Sequence, residues 1–238
     1  MLSRILAALA LAGALAACSA PAAQSPTAAP APTAAPATAA PASLATATSA
    51  APAAAAADIV VFRIVPSESQ VTYEVGETFF NQNNRYAIAV GRTQQVNGEV
   101  RLDRADPRNS SIGPIEIDIS TFSSDSARRD DAIRGRWLES SRFPIATFVP
   151  TEITGLPTTY RDGEELTLTI TGDLTVREVT RPVTFTVTGK IEGETMSGVA
   201  ETQIKMTDFG FDPPDIAGIL RAEDDVKLSF SFVARPEA

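Results

Sequence analysis

The sequence predicts an all-β fold: an antiparallel sheet of about eight strands, rolled into a barrel or folded into a sandwich, with one short helix over an opening. Three observations carry this. Apolar and polar residues alternate strictly along several runs beyond residue 58, the pattern of strands with one buried face. Turn signals separate the runs at regular spacing. One stretch, residues 125–138, loses the alternation and carries apolar residues at helical spacing instead. An open sheet leaves two edges that invite aggregation, so closure into a barrel is favoured.

In chain order, the first element is an export signal. Met1 to Arg4 is a short basic start, followed by 13 apolar residues from Ile5 to Ala17. A membrane-spanning helix needs about 20, so this segment is the middle of a signal peptide. It ends in Leu15-Ala16-Ala17-Cys18, which resembles a bacterial lipoprotein signal. That resemblance implies removal of residues 1–17 and attachment of a diacylglycerol to Cys18, the one cysteine of the chain. An ordinary secretory signal with a chance cysteine is the other reading. Acyl chains contribute about 0.8 kcal/mol per buried methylene and would hold the protein to a bacterial membrane, on its periplasmic or extracellular face.

Residues 18–57 form the second element, a tether. Between Ser19 and Ala57 there is no charge and no aromatic, and seven prolines interrupt an alanine-rich run. Proline at this frequency defeats helix nucleation, leaving a disordered chain of polyproline-II character.

The third element, residues 58–238, is the folded domain. It holds all 15 aromatic residues and every charge except Arg4. Val71, Tyr73 and Val75 alternate with polar residues, as do Ile115, Ile117 and Ile119. Leu166, Leu168 and Ile170 alternate with threonines, and so do Val183, Phe185 and Val187. Val226, Leu228, Phe230 and Phe232 form the last such run, and weaker ones cover 96–102, 145–149 and 196–206. The aperiodic stretch predicts a helix over 126–137, with Asp125 as N-cap and Ile133 and Trp137 on one face. Trp137 is expected to plug the core beneath it.

Composition excludes much chemistry. The chain has no histidine, so no Ser-His-Asp or Cys-His machinery and no histidine-ligated metal. A formal charge of −9 argues against nucleic acid as a partner. Acid pairs such as Asp224-Asp225, or Asp212 with Asp215, are the remaining candidates for a carboxylate hydrolase or a cation site, without EF-hand spacing.

Several motifs together resemble the YceI-like family. They are Arg129-Asp130-Asp-Ala-Ile133-Arg134-Gly with Trp137-Leu138, Arg142-Phe143-Pro144 and Phe148; the stretch Thr171-Gly172-Asp173-Leu174-Thr175-Val176-Arg177-Glu178-Val179-Thr180-Arg181-Pro182-Val183; Asp208-Phe209-Gly210; and residues 96–103. The likeness runs over nearly all of residues 60–233. It implies an extended, lipocalin-like antiparallel barrel whose lumen takes a long amphipathic isoprenoid, such as a polyprenyl chain or a quinone tail, with no catalytic residue and no cofactor. Departures are Ala132 and the segment 77–92, where the family often carries histidine, and Glu178 in place of a glycine.

The inward candidates for ligand binding are Tyr73, Val75, Ile117, Ile119, Phe148, Leu168, Ile170, Phe185, Val187, Leu228 and Phe230. For each of them, ordinary core packing stands beside ligand contact as a reading. Arg129, Asp130 and Trp137 are the candidates for a latch between helix and barrel at its mouth. The expected partners are an amphipathic isoprenoid or lipid, the membrane through Cys18, and a homodimer as an option. Beside the carrier stand a carboxylate hydrolase and a packed-interior structural or adhesion module.

Overall fold

The structure, a computed structural model, describes residues 58–237. The signal segment, Cys18 and the tether lie outside the described residues.

The strands are β1 (Ile59–Ile64), β2 (Gln70–Phe79), β3 (Arg85–Thr93), β4 (Val96–Asn97), β5 (Glu99–Asp103), β6 (Ser111–Ile112), β7 (Ile115–Asp118), β8 (Ile145–Thr154), β9 (Glu165–Val176), β10 (Val179–Glu192), β11 (Thr195–Lys205), β12 (Asp215–Ile216) and β13 (Leu220–Pro236). A single α-helix, α1 (Ala127–Ala132), sits between β7 and β8. All strand pairings are antiparallel, in one curled sheet of 13 strands with the path β4-β7-β8-β9-β10-β11-β13-β1-β5-β6. β2 and β12 also pair with β13, and β3 pairs with β2.

Thirteen strands rather than the expected eight is a correction with local causes. Long runs are cut where the ladder loses a donor or the backbone must bend. Pro66 opens a 3₁₀ turn between β1 and β2, Gly98 separates β4 from β5, and Gly113-Pro114 separates β6 from β7. The path therefore begins and ends in the same stretch of chain. β4 and β5 run on either side of Gly98 and pair with β7 and β6 in turn. The flanks of the sheet meet again where Arg92 and Ser123 exchange backbone hydrogen bonds of 2.8 and 3.0 Å.

β3 explains why it escapes the alternation rule. Its outward residues are the large ones, with Tyr86 55% and Ile88 58% exposed, while Ala89 and Gly91 face inward. Gly91 is required there, because a Cβ would fall 2.1 Å from the ring of Tyr73, which lies across it. Gly172 answers a second close approach: a Cβ would stand 2.5 Å from the Val149 carbonyl oxygen, beside the bulge that Pro150 forces in β8.

The helical segment also differs from expectation. Ser126, not Asp125, is the N-cap, accepting from the Arg129 amide. The α-helix spans 127–132 alone, and Ile133–Trp137 continues as a wider π turn in which the Leu138 amide donates to the Ile133 carbonyl at 2.8 Å. Gly135 sits inside that turn, where its lack of a side chain weakens an ordinary helix. The Asp125 carboxylate is taken up by Arg129.

Candidate functional site

The inward parity of the strands leaves a lumen divided into two apolar chambers. The larger, of about 240 Å³, is walled by Phe148, Leu168, Ile170, Phe185, Val187 and Phe230 among others. The smaller, of about 160 Å³, takes Tyr73, Val75, Ile119 and Trp137 in its wall, under the helical segment. Ile117 and Leu228, with Val71 and Leu174, border both chambers.

Along β13 the smaller chamber borders the strand from Ala222 and the larger one continues to Ala234. At about 3.3 Å per residue that is a reach on the order of 40 Å. The shape is long and narrow. Aromatic edges shape the wall, with Phe148 and Phe185 T-shaped at 4.9 Å and Tyr73 edge-on to Phe122 at 5.2 Å.

The chambers differ at their far ends. The larger is rimmed by Tyr160, Arg161, Glu164 and Lys190. There the Tyr160 hydroxyl donates to Asp162 at 2.8 Å. The smaller ends against a buried polar cluster. Arg129 of α1 reaches across to Glu77 of β2, with Nη2 3.1 Å from Oε2, the two side chains being 19% and 7% exposed. This is a tie between helix and sheet. Asp130 is buried too, but its oxygens accept from the Ser124 amide at 3.0 Å and hydroxyl at 2.6 Å, so it fixes the loop before the helix. Trp137 is half-buried and faces the smaller chamber as part of its wall.

Tyr73 stands between wall and cluster. It is 9% exposed and lies across Gly91, where a Cβ would fall 2.6 Å from its hydroxyl. Burial, and then the nearby Asp130 carboxylate, push the phenol up to about 12, so it keeps its proton at any physiological pH.

Glu77 is the residue that the alternation could have revealed and did not. It shares inward parity with Val71, Tyr73 and Val75, and a carboxylate at a core-facing position calls for a cationic partner. Three of the four acids in the candidate pairs are engaged at the surface. Asp224 caps the turn at Thr207, accepting from its amide at 2.9 Å and its hydroxyl at 2.7 Å. Asp225 pairs with Lys205 at 2.9 Å and Asp215 with Arg221 at 3.0 Å. Among the described residues no group of three or more acidic or cysteine side chains converges on a metal position. Without histidines, the segment at Ala132 and residues 77–92 leaves the Glu77–Arg129 pair as the polar feature of this end.

Comparison with known proteins fits this geometry. Residues 62–234 match the profile of the YceI-like domain. A UPF0312 protein of Shewanella denitrificans is 35% identical over 134 residues, covering 52% of this chain and 65% of the relative, just under two thirds of its length. Protein YceI of Escherichia coli is 28% identical over 155 residues, covering 61% and 76%. Among solved structures, Burkholderia cenocepacia BcnA superposes with a TM-score of 0.55 at 23% identity, covering 71% of this chain and 98% of that one. A polyisoprenoid-binding domain from Saccharophagus degradans, implicated in plant cell wall breakdown, gives 0.58 at 11% identity, covering 75% and 99%. At these identities the two structures speak for the fold. The chain belongs to the YceI-like family.

Proposed function

We propose that this YceI-like protein is a non-enzymatic carrier or sequestering protein for a long amphipathic isoprenoid or related lipid, of polyprenyl or quinone type. The reading further has the protein exported and held on the outer side of a bacterial membrane by acyl chains on Cys18. The observation that carries it is the lumen: two abutting chambers of about 240 and 160 Å³, walled by aliphatic and aromatic side chains and drawn out along the strands. An elongated hydrocarbon fits such a space, and each methylene taken from water contributes about 0.8 kcal/mol. No charged group is required to retain it. The name of the Saccharophagus neighbour, a polyisoprenoid-binding domain, supports the same ligand class.

The alternatives meet specific observations. A hydrolase needs two free acids in a cleft, whereas Asp215, Asp224 and Asp225 are committed to partners outside the lumen. A packed structural module would fill the volume that the chambers occupy. The decisive experiment is native mass spectrometry with lipid extraction of the protein purified from a bacterial host. A reproducible apolar adduct of isoprenoid mass is the expected result. Repeated isolation of the protein without any adduct, together with failure to take up added isoprenoids, would overturn the reading.

A further inference from the structure

We propose that residues 156–162 form a lid over the larger chamber, hinged at Gly155 and Gly163, and that its lifting admits and releases the ligand of the lumen. The inference rests on the carrier reading and adds the route of exchange. The β8–β9 ladder ends at the pair Thr154 and Thr169, and the chain between Thr154 and Glu165 belongs to no strand. That segment is amphipathic. Leu156, Pro157 and Tyr160 are half-buried in the chamber wall, while Thr158, Thr159 and Asp162 are exposed. Glycines stand at both its ends in the left-handed region, Gly155 at φ +90° and Gly163 at φ +73°. Glycine passes between such dihedrals and others at little steric cost, as the hinge of a lid must.

What holds the lid down is slight. Its C-terminal end is tied to the β10–β11 hairpin by two hydrogen bonds: the Gly193 amide donates to Asp162 Oδ1 at 2.8 Å, and the Gly163 amide to the Ile191 carbonyl at 2.7 Å. The same Asp162 oxygen accepts from the Tyr160 hydroxyl at 2.8 Å, so one carboxylate fixes both the aromatic of the lid and its end. The guanidinium carbon of Arg104 lies over the Tyr160 ring, 5.8 Å from its centroid, near the outer limit of such an attraction. That contact carries a cost. Arg104 Nε is the one buried side-chain nitrogen or oxygen without a hydrogen-bond partner among the described residues. A buried donor left unpaired penalises the state that buries it, and here that state is the closed lid. Lifting the Tyr160 ring opens Arg104 to water and uncovers the apolar space behind it.

Stopped-flow binding of N-phenyl-1-naphthylamine, an uncharged dye that brightens on leaving water, tests the lid in the full-length protein. Asp162 is not among the residues that wall the chamber, so Asp162→Ala loosens the lid without changing what the dye touches. Association and dissociation rates are both expected to rise about five- to tenfold, with the affinity kept within about threefold, because a gate alters both directions alike. Gly163→Ala meets no atom within 4 Å and acts through its dihedral alone, disfavouring the closed hinge. It is expected to raise both rates in the same way. Gly218→Ala is the control: it carries the same strain, at φ +70° and also in open space, but in the β12–β13 turn, and unchanged rates are expected. Unchanged rates in both lid variants, equal acceleration by Gly218→Ala, or faster dissociation with association unaltered would each overturn the lid and leave the carrier reading standing. Failure of the unaltered protein to take up the dye would overturn both, since an apolar lumen open to exchange must admit it.

Discussion

The two ends of the lumen are built from the same sheet, yet they present opposite chemistry. The larger chamber is walled by strand side chains and by the loops at 107–110 and 156–164, the latter bringing Tyr160, Arg161 and Glu164. The smaller one is overlain by the helical segment and backed by a buried ion pair and the raised phenol of Tyr73. The difference teaches how a sheet with period-two wetting obtains a polar spot inside. It borrows the charge from an inserted helix and stations one carboxylate at a core-facing strand position to meet it.

Breaking the helix end should produce the largest effect. Arg129→Met leaves Glu77 buried without its partner, and a loss of about 3 kcal/mol in stability is expected from denaturant unfolding. A loss below 1 kcal/mol would mean that the pair is solvated in solution. The larger chamber is broken differently. Leu168→Trp puts an indole into its space, and a fall in isoprenoid affinity of about a hundredfold, roughly 2.7 kcal/mol, is expected with the fold retained by circular dichroism. Phe185→Trp is the companion test on β10.

Smaller changes sharpen the contrast. Gly172→Ala drives a methyl group toward the Val149 carbonyl and the ring of Phe148 in the wall of the larger chamber. About 2 kcal/mol of destabilisation is expected, read as a shift in the urea midpoint. Ser126→Ala removes the cap of α1, whose hydroxyl accepts from the Arg129 amide at 3.4 Å. At that length about 0.5 kcal/mol of destabilisation is expected, read as a small shift in the urea midpoint.

Much of the fold was legible because half-buried strands announce themselves. β9, β10 and β13 alternate apolar residues with threonine, serine or charge, and the structure buries the apolar set. β1 hid as a continuous apolar run, Ile59 to Phe62, with no second period to count. β3 hid because its inward residues are small and its outward ones large, a pattern forced by the Tyr73 ring lying over Gly91. The strand count failed where prolines and glycines cut long runs, since an alternation rule sees faces and not ladder breaks. The eleven candidate ligand residues all border a chamber. The parity that selected them could not say whether space lay beyond. Glu77 was legible in principle as the one charge on the Val71–Tyr73–Val75 face.

The way the sheet meets itself has a kinetic consequence. Where its two ends join, β4 and β6 are each 2 residues long, whereas β9 and β10 run 12 and 14. Short ladders lose few hydrogen bonds when they open, so the seam is expected to open at β6 before the long ladders of β9 and β10 do. Amide protons of residues 111–112 should exchange with deuterium ahead of those on β9, where the ladder runs 12 residues.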